Sequence, residues 1–118
     1  MKVAIIGSRN LRIDIEKYLR EIEEQLSEKI TMIISGGARG IDTQAEEYAD
    51  THNIPKLIFL PDYKKYDKYA PLLRNIDIIK KADVVIAFWD GKSRGTKFVI
   101  QKARIERKKL IVYKVIEE

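Results

Sequence analysis

Five short apolar runs rich in valine and isoleucine punctuate the chain: Val3 to Ile6, Ile30 to Ile34, Leu57 to Leu60, Val84 to Phe88, and Leu110 to Val115. Continuous runs of this kind suit strands covered on both faces, as in a parallel sheet. Between them the apolar positions recur with helical period. Ile15, Tyr18, Leu19, Ile22 and Leu26 form one stripe with glutamates and lysines opposite. A second helix, starting near Gly40, is expected to turn Ile41, Ala45, Tyr48 and Ala49 inward. A third begins near Pro71, a favourable first-turn residue, and is expected to pack Leu72, Leu73, Ile76 and Ile79. A fourth starts near Arg94 and packs Val99, Ile100 and Ala103.

Strict alternation of strand and helix implies right-handed crossovers and a three-layer, doubly wound α/β domain. The 118 residues fit one such domain, and no repeat, linker or low-complexity stretch interrupts the pattern.

Composition narrows the chemistry. The chain has no cysteine and one histidine, His52, which excludes disulfides, thiolate metal sites and His-rich metal sites. No apolar run approaches the ~18 residues of a membrane helix, and no secretory signal is visible, so a cytoplasmic setting without membrane contact is expected. Lysine and arginine outnumber aspartate and glutamate by 23 to 18, a net charge of +5. That surplus favours anionic partners in general. An ion-paired surface of the heat-adapted kind explains it equally well.

In open α/β sheets ligands sit beyond the carboxyl ends of the strands, where the winding reverses. The informative glycines fall at such ends. The first run closes in Gly7-Ser8-Arg9, the second in Ser35-Gly36-Gly37-Ala38-Arg39-Gly40, and the fourth in Asp90-Gly91-Lys92-Ser93-Arg94-Gly95-Thr96. A strand order of 3-2-1-4-5 brings these three loops into one crevice, whereas 2-1-3-4-5 separates them. Glycine lets a backbone turn sharply and bring its N–H groups to an anion, and a following helix adds its N-terminal dipole. Arg39 and Arg94 add bidentate donors for phosphate oxygens. On this reading Ser35 to Asp42 is a phosphate or ribose-phosphate cradle, with Asp42 either a first-turn helix acid or a ribose contact. Tight strand-to-helix turns also use glycine for purely structural reasons. Three on one side, each with a hydroxyl and an arginine, favour the ligand reading. Neither the dinucleotide fingerprint nor the Walker P-loop is present.

At these residues the chain resembles the SLOG superfamily of Rossmann-like proteins. The matching pieces are Gly7-Ser8-Arg9, the SGGARGID segment from Ser35 to Asp42, Arg74-Asn75 and Gly95-Thr96. SGGARGID is most similar to the DNA-processing branch. Arg74-Asn75 followed by Gly95-Thr96 resembles the short stand-alone YspA-like branch. The resemblance implies a Rossmann-like fold with a nucleotide, a nucleotide derivative or a nucleic acid in the crevice. It also implies that Gly7, Ser8, Arg9, Ser35, Gly36, Gly37, Arg39, Gly40, Ser93, Gly95 and Thr96 hold phosphate or ribose while Arg74 and Asn75 close the site. Family members commonly pair, so self-association is expected. The phosphoribohydrolases of the superfamily carry a glutamate shortly after the Gly-Thr pair. Here Lys97, Phe98 and Val99 follow Thr96, so the residue that manages the departing base is absent and no catalytic residue is assigned.

Pro61 to Pro71 reads PDYKKYDKYAP, with tyrosines spaced by three and lysines between them. Aromatic faces stack on bases while ammonium groups meet phosphates. A lid whose tyrosines cover the sheet edge or a subunit interface fits the same composition. Trp89 is either a base-stacking or a packing residue. The basic segment Gln101 to Lys109 suits a solvated helix end. The function expected from the sequence is recognition of a nucleotide or nucleotide-derived ligand without a metal, and nucleic acid is a weaker partner. The alternatives are a nucleoside-phosphate N-glycosidase and a single-stranded DNA binder.

Overall fold

The computed structural model describes residues 1–115. Five parallel strands, β1 (Lys2–Gly7), β2 (Met32–Ser35), β3 (Lys56–Ile58), β4 (Val84–Trp89) and β5 (Lys109–Lys114), form one sheet in the order β3-β2-β1-β4-β5. The winding reverses between β1 and β4, where Val3 to Gly7 pair with Val84 to Phe88. Helices α1 (Ile15–Leu26) and α2 (Ile41–Thr51) cover one face. A four-residue helix, α3 (Tyr63–Tyr66), leads through a 3₁₀ turn at Asp67–Tyr69 into α4 (Ala70–Lys81). That helix and α5 (Arg94–Ile105) cover the other face.

The alternation of side chains along the strands builds two cores. Val3, Ile5, Ile33, Ile86 and Phe88 pack with Leu19, Ile22, Ile41 and Ala45 on the α1/α2 face. Ala4, Ile6, Ile34 and Val85 pack with Ile78, Ile79, Val99 and Ala103 on the other. Because both faces are covered, the strand residues are apolar throughout. Helix α1 starts where the Asp14 carboxylate accepts the Lys17 N–H, and it ends at Ser27 in the left-handed conformation. The basic end of α5 works across the fold: the Lys108 ammonium donates to the carbonyls of Lys80 and Ala82 at the end of α4.

The structure corrects three expectations. Strand β2 begins at Met32 instead of Ile30, and β3 stops at Ile58, leaving Leu60 70% exposed beyond it. The expected lid between β3 and α4 is mostly helical, since the Asp62 carboxylate accepts the Lys65 N–H and starts a turn. The inward stripe of α4 is Ala70, Asn75, Ile78 and Ile79, while Leu72 and Leu73 face outward and Ile76 is half-buried. Two polar anchors set that rotation. The Arg74 guanidinium bonds to the ends of β2 and β3, and the buried Asn75 accepts its Nε–H at 2.8 Å.

Candidate functional site

The crevice at the switch point is lined by Ile6, Gly7 and Arg9 after β1, by Ala38 and Asp42, by Pro71, Arg74, Asn75 and Ile78 of α4, and by Ser93, Gly95 and Thr96 at the start of α5. It encloses about 100 Å³, enough for a phosphate and part of a sugar. Arg39 and Gly40 line a second recess of about 340 Å³ together with Arg9, Asn10, Leu11, Arg12, Thr43, Gln44 and Glu47. The expected single crevice is thus two adjoining hollows, and Arg9 belongs to both. A larger groove of about 560 Å³ lies between α1 and α2. It is lined by Glu23, Glu24 and Glu28 with Arg20, Ser27, Lys29, Tyr48 and His52, none of which belongs to a glycine loop.

The SGGARGID loop is held by its own side chains. Asp42, 6% exposed, accepts the N–H groups of Gly36 at 3.2 Å and Ala38 at 3.1 Å through one oxygen. Ser35 donates its hydroxyl to Glu46 at 2.5 Å and accepts the Gly37 N–H at 3.4 Å. The amides of Gly36, Gly37 and Ala38 are therefore engaged within the chain, and Asp42 sits where an incoming anion was expected. Burial raises the Asp42 pKa above the ordinary carboxylate value, and the amides of Ala38 and Gly36 with the Arg74 charge oppose that rise. What the loop leaves open is its far end. Gly40 starts α2 without a side-chain cap, so the first-turn N–H groups of α2 lack that partner.

Gly40 and Gly36 are required by geometry. Gly40 has φ of 75° and passes so close to Arg9 that a Cβ would lie 2.3 Å from the Arg9 carbonyl oxygen. This contact locks the β1 and β2 loops together and places Arg9 between the hollows. A Cβ on Gly36 would lie 2.7 Å from Nη1 of Arg74. Arg74 donates from Nη1 to the carbonyls of Gly36 and Phe59 and from Nε to Asn75. Among the described residues Nη2 has no hydrogen-bond partner and is not sealed from solvent, and Arg74 lines the crevice. Burial pulls the Arg74 pKa below its ordinary value; Asp42 and Tyr63 act against the fall, and Arg9 adds to it.

The β4–α5 loop is braced from three sides. Trp89 donates its indole N–H to the Ser93 carbonyl at 3.0 Å, Asp90 accepts the N–H groups of Lys92 and Ser93 at 2.8 Å each, and Ser8 accepts the Asp90 N–H at 3.2 Å. The hydrogen bonds to Ser93 and Lys92 hold the Asp90 pKa below its ordinary value. Trp89 thus acts as a packing and bracing residue, and Ser8, 2% exposed, is a strut between the β1 and β4 loops. Ser93 caps Thr96, and Gly95, in the same first turn, lines the crevice.

Among the sequence-predicted residues, Gly7, Arg9, Asp42, Arg74, Asn75, Ser93, Gly95 and Thr96 meet in the crevice, and Arg39 and Gly40 meet Arg9 next to it. Ser8, Ser35, Gly36 and Gly37 line neither hollow and support the walls. Arg12 and Gln44 escaped the sequence reading. Gln44 clamps the β1–α1 loop by accepting the Ile13 N–H and donating to the Leu11 carbonyl. The spacing Arg9-Asn10-Leu11-Arg12 was the available signal for Arg12. Among the described residues, Arg9, Arg12, Arg39 and Arg94 are exposed and form no ion pair.

Taken together, a doubly wound parallel sheet with glycine loops at its switch point defines an α/β domain of the Rossmann-like class. A family profile for DNA recombination-mediator protein A matches residues 1–87. The match takes in most of the chain, and the protein belongs to that family. A similar solved structure is DNA processing protein A from Streptococcus pneumoniae, 20% identical with a TM-score of 0.74 over 94% of this chain and 49% of that one. That likeness bears on the fold, and this chain spans about half the length of that protein. No curated protein sequence matches the chain.

Proposed function

We propose that the protein binds a single strand of nucleic acid, DNA in the first instance, through the phosphates of consecutive nucleotides. The observation that carries this reading is the position of Arg9, which lines two hollows at once. A strand that uses both hollows would place one phosphate in each. Arg74 Nη2 and the first turn of α5 would take one phosphate in the crevice, while Arg12, Arg39 and the uncapped start of α2 would take the next. A crevice of about 100 Å³ has no room for a paired duplex. The family's name supplies the preference for DNA.

A free nucleotide in the crevice is the second reading, favoured by that same small volume. Arg74-Asn75 with Gly95-Thr96 keeps the likeness to the YspA-like branch within this proposal; a cytoplasmic setting and self-association are part of the same proposal. Binding carries the reading, not turnover: the carboxylate at the crevice is Asp42, which the loop amides already engage. Fluorescence anisotropy with a labelled oligothymidylate and unlabelled thymidine monophosphate as competitor tests the choice. The strand reading expects the mononucleotide to compete at least a hundred-fold less well than an unlabelled oligonucleotide. Equal competition per mole overturns it in favour of the free nucleotide.

A further inference from the structure

Several large apolar side chains on the α3 side of the fold are exposed. Tyr63, Tyr66 and Tyr69 are 58%, 38% and 57% exposed, and Leu60, Leu72 and Leu73 are exposed beside them. Residues three apart are neighbours on a helix, so Tyr63 and Tyr66 share one side of α3. The ammonium of Lys65 lies 5.2 Å from the Tyr66 ring centroid, and that of Lys68 lies 5.3 Å from the Tyr69 centroid. Lys64, Lys65 and Lys68 form no ion pair among the described residues.

The strip adjoins the crevice. Leu60 lies against the SGGARGID loop, since a Cβ on Gly37 would fall 2.7 Å from a Leu60 methyl. Tyr63 is near enough to Arg74 to act on its charge. The 3₁₀ turn that carries Tyr69 runs directly into Ala70 and Pro71, and Pro71, Arg74 and Asn75 line the crevice.

We infer that Tyr63, Tyr66 and Tyr69 form a base-stacking platform that receives the nucleotides of a single strand as it leaves the crevice, with Lys64, Lys65 and Lys68 on its phosphates. The inference rests on the strand reading above and adds bases to what had been contact with phosphates alone. Every base has a π-face, so such a platform is tolerant of sequence. Exposed aromatic rings alternating with unpaired cations match a strand that offers bases and phosphates in turn. A second copy of this chain fits less well, because a symmetric contact would press the lysines of one copy onto those of the other.

The test combines two strand lengths with two variants. Oligothymidylates of three and of twelve nucleotides are titrated against the wild type and the triple variant Tyr63→Ala, Tyr66→Ala, Tyr69→Ala. All three side chains are exposed, so the fold tolerates the change; a Tyr→Phe triple variant keeps the rings as a control. Loss of stacking costs roughly five-fold or more per base. The platform expects the alanine variant to weaken the twelve-mer at least ten-fold and the three-mer less than two-fold, with the phenylalanine variant close to wild type. Photocrosslinking of a 5-iodouracil twelve-mer to the wild type should map to these tyrosines. Equal affinity of wild type and alanine variant for both lengths, with crosslinks elsewhere, overturns the platform and leaves the crevice reading standing. Unchanged strand binding with an altered sedimentation coefficient assigns the strip to protein contact instead. A wild type that binds neither length overturns both readings.

Discussion

Replacing Gly95 separates fold from binding, because the two effects have opposite signs. Gly95 lies in the first turn of α5, is exposed, and lines the crevice. A Cβ built on it meets no atom within 4 Å. Alanine therefore enters open space and gains its helix preference over glycine, about 0.5–1 kcal/mol. For a domain of this size that corresponds to a rise in Tm of roughly 2–4 °C. On the proposed function, the same open space is where a phosphate would reach the N–H group of Gly95. A valine there adds two more carbons at the mouth, and it returns part of the helix gain because it is β-branched. Losing one hydrogen bond to a charged group costs about 1.5–3 kcal/mol, or roughly 10- to 150-fold in affinity. Thermal denaturation of Gly95→Ala and oligothymidylate titration of Gly95→Val read the two effects separately. A lower Tm for the alanine variant would contradict the local geometry. Unchanged affinity for the valine variant would remove the α5 end of the crevice from the binding surface.

Three further outcomes are expected. Arg74→Ala leaves the buried Gly36 carbonyl without its guanidinium donor and should destabilise the protein by about 1–3 kcal/mol in urea titration; Arg74→Lys, lacking the fork that reaches Gly36, Phe59 and Asn75 together, should recover less than half of that. Because burial raises the Asp42 pKa, the folded state holds that proton more tightly than the unfolded state; its contribution is greatest below the ordinary value of 3.8 and is lost as pH rises through the native pKa, so wild type should lose stability relative to Asp42→Asn across that window, and a flat difference refutes the assignment. Incubation with nucleoside monophosphates should release no base above background by chromatography, and turnover lost in Asp42→Asn or Glu46→Gln would show that the SGGARGID loop supplies the acid.

The sheet order and the glycine loops were legible because the strands are buried on both faces and the loops fall at strand ends. Three features were not. Asp42 read equally well as a helix acid or a ribose contact, and only the fold shows that its carboxylate fills the loop amides from inside. The phase of α4 misled the reading because Leu72 and Leu73 look like core residues, whereas the helix is turned by the polar bonds of Arg74 and Asn75. The division of one crevice into two depends on the close passage of Gly40 over the Arg9 carbonyl, a contact between residues thirty-one apart that no local pattern encodes. The tyrosine segment was identified by composition, but its helical form depends on the Asp62 cap.

The central claim is that one strand crosses both hollows past Arg9, and the salt dependence of oligothymidylate binding tests it most directly. Each phosphate neutralised on a single strand contributes about −0.7 to the slope of log K against log salt. Two phosphates, one in each hollow, would give a slope of about −1.4 for the wild type. Arg9→Ala should make the slope shallower by about 0.7 or more, since the variant loses its own contact and the bridge between the hollows. A wild-type slope of about −0.7 or shallower, unaffected by Arg9→Ala, would contradict the account and confine the ligand to a single phosphate.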